Sequence, residues 1–88
     1  MKFADLKFNE IHPNHFQAKK SFGKYELSVI QEPGKSSYEV AVFENNKFVQ
    51  LPGMHIYNDD VIPYLEPADV DCIMLKLHLV SGPTSERT

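Results

Sequence analysis

Tyr38-Glu39-Val40-Ala41-Val42-Phe43-Glu44-Asn45-Asn46-Lys47-Phe48-Val49-Gln50-Leu51 is the stretch on which the fold turns. Two consecutive Asn tolerate positive φ and suit the two-residue type I′ turn of a β-hairpin. Folding the chain at Asn45-Asn46 pairs Glu44 with Lys47, Phe43 with Phe48, Val42 with Val49 and Val40 with Leu51. Each pair is chemically matched. A slip of one residue sets Phe43 against Lys47 and sends every side chain to the wrong face.

The same arithmetic extends towards the N-terminus. Gly23-Lys24 suits a type II′ turn, which sets Phe22 against Tyr25 and Ala18 against Val29. Between the two hairpins, Glu32-Pro33-Gly34-Lys35-Ser36-Ser37 turns the chain so that Val29 meets Val40 and Leu27 meets Val42. Four strands follow, near residues 15–22, 25–31, 38–44 and 47–51, antiparallel and in sequence order. Alternation gathers Phe16, Ala18, Phe22, Tyr25, Leu27, Val29, Val40, Val42, Val49 and Leu51 on one face. The opposite face carries Lys19, Ser21, Glu26, Ser28, Ile30, Glu39, Ala41, Phe43, Phe48 and Gln50. The first is a core face and the second is mostly wet. Lys20 points to the core side of the first, edge strand, where a charge discourages edge-to-edge pairing.

An apolar face needs a cover. Glu66-Pro67-Ala68-Asp69 is a helix start, with Pro in the first turn and acidic groups at the positive end of the dipole. Beyond it Val70, Ile73, Met74, Leu77 and Val80 recur at helical spacing, within an arc of roughly 120°. The expected fold class is therefore α+β: a four-stranded antiparallel β-meander with a C-terminal α-helix packed on one face. Asp59-Asp60-Val61-Ile62-Pro63-Tyr64-Leu65 reads as a helical turn broken by Pro63, with Val61, Ile62 and Leu65 plugging the end of the core. Phe3, Leu6 and Phe8 either add a short strand or wrap the helix. The His12-Pro13 step favours extended chain there.

Composition bounds the rest. Eighty-eight residues make one domain, expected to span 1–80, with 81–88 a disordered tail after Gly82-Pro83. The chain is 42% apolar and 11% aromatic, too apolar for wholesale disorder. Nine Lys and Arg against twelve Asp and Glu give a net −3, which argues against a nucleic-acid partner. Cys72 is the single cysteine, so no internal disulfide forms, and a free thiol without a secretory leader fits a cytoplasmic setting. No apolar run approaches the ~20 residues that span a bilayer, so no membrane partner is expected.

The chain resembles a family of small proteins encoded by tailed bacteriophages and prophages. The matching stretches are Asp5–Phe8, His12-Pro13, Gln17-Ala18, Phe22, Tyr25–Val29, Tyr38–Val42 and Asp59–Leu65, spread over most of residues 2–80. The family usually shows Thr before its helix-starting acidic pair, where this chain has Glu66-Pro67. Its central loop is usually longer and rich in Gly and Tyr, where this chain has a compact Pro-Gly-Lys-Ser-Ser. The resemblance implies phage origin and a bacterial host cell. It carries no catalytic residues to transfer.

The catalytic and metal-binding patterns in the chain have plainer readings. His12-x-x-His15 with Asp59-Asp60 has metal-like spacing, but zinc needs three or four converging ligands, and surface histidines beside a loop explain the pair. Cys72, His78 and Asp71 do not make a nucleophile triad, because Cys72 and His78 sit about 120° apart on a regular helix. Asp69 and Asp71 also oppose a thiolate at Cys72. Pro33-Gly34-Lys35-Ser36 lacks the first Gly of a phosphate loop and precedes a strand rather than a helix. No catalytic residue, metal or cofactor is expected, and the chain is read as a non-enzyme.

Two features point to protein binding. Asp59, Asp60, Glu66, Asp69 and Asp71 put five acids into thirteen positions without a Lys or Arg, a patch suited to a basic partner. Cys72, Leu75 and Leu79 form a second apolar stripe opposite the core stripe, bordered by Asp71 and His78 on one side and Lys76 on the other. Such a helix is buried on both sides or meets a partner. Either Phe3-Leu6-Phe8 covers it internally, or it serves a homodimer or a host protein. The Phe43–Phe48 pair on the wet sheet face is a further candidate, beside its role as hairpin glue. The expected function is stoichiometric binding of a host protein, as a host-takeover or anti-defence inhibitor. The alternative is a self-assembling structural or accessory phage protein with a helix-mediated dimer interface.

Overall fold

Turn chemistry sets the frame of the molecule. The computed structural model describes residues 2–51 and 60–81. Asn45 and Asn46 adopt φ of 54° and 64°, as a type I′ turn requires. Gly23 sits at φ 60° and Lys24 keeps negative φ, consistent with a type II′ turn. The Gly23-Lys24 turn joins β2 (His15–Phe22) to β3 (Tyr25–Gln31), and the Asn45-Asn46 turn joins β4 (Tyr38–Glu44) to β5 (Lys47–Phe48). Their register matches the expected pairing: Ala18 opposite Val29, Leu27 opposite Val42, Val29 opposite Val40, and Phe43 opposite Phe48.

Two further strands enlarge the expected four-stranded sheet to six. β1 (Asn9–His12) folds back on β2 through Pro13-Asn14, with Asn14 at φ 60°. Pro followed by a residue at positive φ is the chemistry of a type II turn, and Glu10 Oε2 accepts from the Asn14 N–H at 2.9 Å. β1 pairs only with the start of β2, from His15 to Gln17, so Lys20 still lies along an open edge.

The other addition, β6 (Val61–Leu65), corrects the helical turn expected there. It runs antiparallel to β4, with Val61 opposite Ala41, Ile62 opposite Val40 and Leu65 opposite Tyr38. Two residues, Pro63 and Tyr64, thus face Glu39 alone in a β-bulge, with Tyr64 at φ 62°. A bulge is one of the few places a strand accepts Pro. Ile62 and Leu65 pack on the core, whereas Val61 joins Ala41 on the other face. β6 also takes the β4 position expected for Leu51, so β5 stops at Phe48, although Val49 still donates to the Val42 carbonyl at 2.9 Å.

Helix α1 (Pro67–Ser81) starts where its sequence says. The Glu66 N–H donates to Asp69 Oδ2 at 2.8 Å, a carboxylate three positions on reaching back to the cap. Val70, Ile73, Met74 and Leu77 are buried against Phe22, Leu27, Val29, Val40 and Val42. Each fully buried aliphatic contributes about 1.5–3 kcal/mol. Val80, expected in that stripe, is 55% exposed. It stands at the edge of the arc and in the last turn, beyond the reach of the sheet. Phe16, also expected in the core, is only half-buried.

Within the first fourteen residues, Asn9–His12 adds a strand and Phe3 is bonded to Asp71 of α1, while Phe3, Leu6 and Phe8 themselves form neither a strand nor a cover over the outer helix flank. Phe3–Asp5 is a 3-10 turn, and Phe3, Leu6 and Phe8 pack against the core. Phe3 and Phe8 meet Tyr38 with ring centroids 4.9 and 5.8 Å away. The single α+β layer pair is therefore sealed at the β6 end by aromatic side chains. Of the expected tail, Ser81 closes α1, and residues 82–88 lie outside the described residues.

Candidate functional site

The acidic patch is largely committed to structure. Asp71 Oδ1 accepts the Phe3 N–H, tying the N-terminal turn to the helix. Asp69 caps α1 through Glu66, and Asp60 Oδ1 accepts from Gln50 Nε2 at 3.2 Å. Asp59 lies outside the described residues. Glu66 remains exposed at the helix start. These carboxylates hold segments in place before they present charge to any partner.

The second helix stripe faces outward. Leu75 is 57% and Leu79 67% exposed, Cys72 is exposed, and Lys76 stands beside them. The N-terminal aromatics go to the core, so among the described residues they do not cover this flank. Asp71 and His78, half-buried, border it on the side of the 3-10 turn.

On the opposite side of the sheet, Phe43 and Phe48 stack with centroids 4.6 Å apart and planes at 37°. Phe43 is half-buried and Phe48 is 52% exposed. A shallow hollow of about 160 Å³ adjoins Phe43, lined by Gln17, Lys19, Glu26, Phe43 and Asn46. The centre of this outer face is drier than alternation suggests. Ser28 and Ala41 are buried, and Gln17 Nε2 donates to Ser28 Oγ at 2.9 Å. Small side chains in central strands are shaded by the longer ones around them.

His12 and His15 flank the β1–β2 turn with ring centroids 5.9 Å apart, and His15 Nε2 is buried without a hydrogen-bond partner among the described residues. No third His, Cys, Asp or Glu converges on them among the described residues. No helix there is long and apolar enough to cross a membrane.

One concavity escaped the sequence reading. Ile30, Glu32, Lys35, Glu39, Pro63 and Tyr64 enclose a pocket of about 120 Å³ between the β3–β4 turn and the β6 bulge. Lys35 Nζ donates to Glu32 Oε1 at 3.0 Å there, and that contact raises the Lys35 pKa. Tyr64 is 80% exposed at its rim. The signal lay in Pro63-Tyr64, whose bulge conformation depends on a distant partner strand. No protein-family model, curated protein or solved structure matches the chain.

Proposed function

We propose that the chain is a phage-encoded, non-enzymatic protein that binds a bacterial host protein stoichiometrically in the host cytoplasm, as a host-takeover or anti-defence inhibitor. The exposed Phe48 stacked on Phe43, on the sheet face away from the helix, carries this reading. Aromatic side chains, Phe among them, are enriched where one protein surface meets another. The resemblance to small phage proteins supplies the setting. The engagement of Asp60, Asp69 and Asp71 in structural hydrogen bonds favours binding over acid–base chemistry.

Affinity capture from bacterial lysate tests it. The intact chain retains one protein in saturable, equimolar amount, and Phe48→Glu loses it while keeping the parental far-UV circular dichroism. Capture of nothing saturable, or equal capture by Phe48→Glu, overturns the reading. The outward flank of α1 favours a second reading, self-association, because Leu75 and Leu79 stand in water on the side opposite the core.

A further inference from the structure

We infer that two copies of this chain pair through an antiparallel, self-complementary seam along the outer flank of α1. The inference rests on the self-association reading and specifies its geometry. Ala68, Cys72, Leu75 and Leu79 follow a 4-3-4 spacing, and all four are exposed. That is the narrow stripe of a two-helix coiled coil, distinct from the wider core stripe of Val70, Ile73, Met74 and Leu77. A helix already fixed on a sheet presents such a stripe without any folding cost on association.

Charge selects the occupant and its direction. Asp69 and Lys76 flank the stripe on one side, seven residues apart. Asp71 and His78 flank it on the other, again seven apart. In an antiparallel two-helix pair related by a twofold axis, like flanks face each other. Asp69 of one copy then approaches Lys76 of the other, Asp71 approaches His78, and the symmetry repeats both contacts. The same register sets Ala68 beside Leu79 and Cys72 beside Leu75 of the second copy, a small residue against a large one in each layer. A parallel pair satisfies only Asp71 with Lys76 and aligns the two helix dipoles unfavourably.

The helix is roughly 22 Å long, so the seam is at the small end of interfaces and the association is weak. Sedimentation equilibrium of the full chain, from about 10 μM to about 1 mM, is the test. The chain passes from monomer to dimer over that range. Leu75→Glu with Leu79→Glu stays monomeric with unchanged circular dichroism, since both side chains are exposed. Lys76→Glu weakens the dimer about tenfold, by setting two pairs of like charges against each other. Adding Asp69→Lys to Lys76→Glu restores it, and Asp69→Lys alone serves as the control for its cap on Glu66. A chain monomeric throughout overturns both self-association and the seam. A dimer indifferent to Leu75→Glu with Leu79→Glu overturns the seam alone. Failure of the charge swap to restore the dimer, with Asp69→Lys still folded, overturns the antiparallel register. Host-protein capture through Phe48 is measured separately and does not depend on any of these outcomes.

Discussion

The Phe3 N–H donates a hydrogen bond to Asp71 Oδ1, joining residues 68 positions apart. This bond turns an acid that looks like surface charge into the anchor of the N-terminal segment. It sits beside the ring cluster of Phe3, Phe8 and Tyr38, so polar and aromatic contacts fix the same turn.

Asp71→Ala leaves a part-buried N–H without its acceptor and should cost about 1–3 kcal/mol. Asp71→Asn keeps an acceptor oxygen and should cost less. Urea unfolding followed by circular dichroism gives both values. In a chain beginning at Leu6, the Asp71→Ala penalty should vanish, because its partner is gone. A penalty that survives the truncation assigns Asp71 some other structural role.

Asn46 at φ 64° occupies the half of a type I′ turn that Gly prefers. Asn46→Ala should destabilise by about 1–2 kcal/mol, the cost of placing an ordinary side chain in the left-handed region. Asn46→Gly should be neutral or slightly stabilising. The two urea midpoints, compared with the parent, decide the point. Equal behaviour of Ala and Gly is incompatible with this turn.

That turn also explains what was legible in the sequence. A two-residue turn fixes register at once, so Asn45-Asn46 and Gly23-Lys24 dictated the pairs Phe43–Phe48 and Ala18–Val29 before any packing was considered. The face of α1 was legible because Val70, Ile73, Met74 and Leu77 obey one period. β6 was not, since Pro63 and the bulge at Tyr64 break the alternation of a strand that owes its existence to β4, some 20 residues earlier in the chain. β1 hid for a different reason: its four residues are all exposed and carry no apolar alternation. At the candidate sites, sequence marked Phe48, Leu75 and Leu79 as apolar side chains on outward faces. It did not reveal that Asp60, Asp69 and Asp71 are held by Gln50, Glu66 and Phe3, because those bonds depend on how the chain folds back.

Leu77 is fully buried where α1 meets the sheet. Leu77→Ala should destabilise by about 2–5 kcal/mol, through lost transfer free energy and the cavity left behind. Leu75→Ala, two positions earlier but 57% exposed, should change stability by about 0.5 kcal/mol or less. The contrast in urea midpoint between these chemically identical substitutions checks which side of the helix is inside.

Asp5 gives the fold an acid-sensitive contact. Its Oδ2 accepts the Lys2 N–H at 2.8 Å, and this bond is the main reason its pKa falls below 3.8. A carboxylate whose folded value is depressed stabilises the fold above its unfolded value. The contribution is lost as pH falls from 3.8 through the lower folded value. Asp5→Asn should therefore reduce the acid dependence of the urea midpoint below about pH 4. An unchanged acid limb would show that Asp5 is equally acidic in the unfolded chain.

Tyr64 holds φ 62° while remaining 80% exposed. An L-residue there costs about 1–2 kcal/mol, and an exposed ring recovers little of it by burial. Tyr64→Gly removes that strain, offset by about 0.5–1 kcal/mol from the freer unfolded chain. The variant should match the parent or exceed it slightly in urea midpoint. Tyr64→Val should lose about 1 kcal/mol or more, because a β-branched side chain fits the left-handed region worst. The order Gly at or above Tyr above Val follows from the bulge opposite Glu39 and from nothing else at this position. If Val proves as stable as Gly, Tyr64 is in ordinary extended backbone, and the pocket it helps to wall with Glu32 and Lys35 has a different shape.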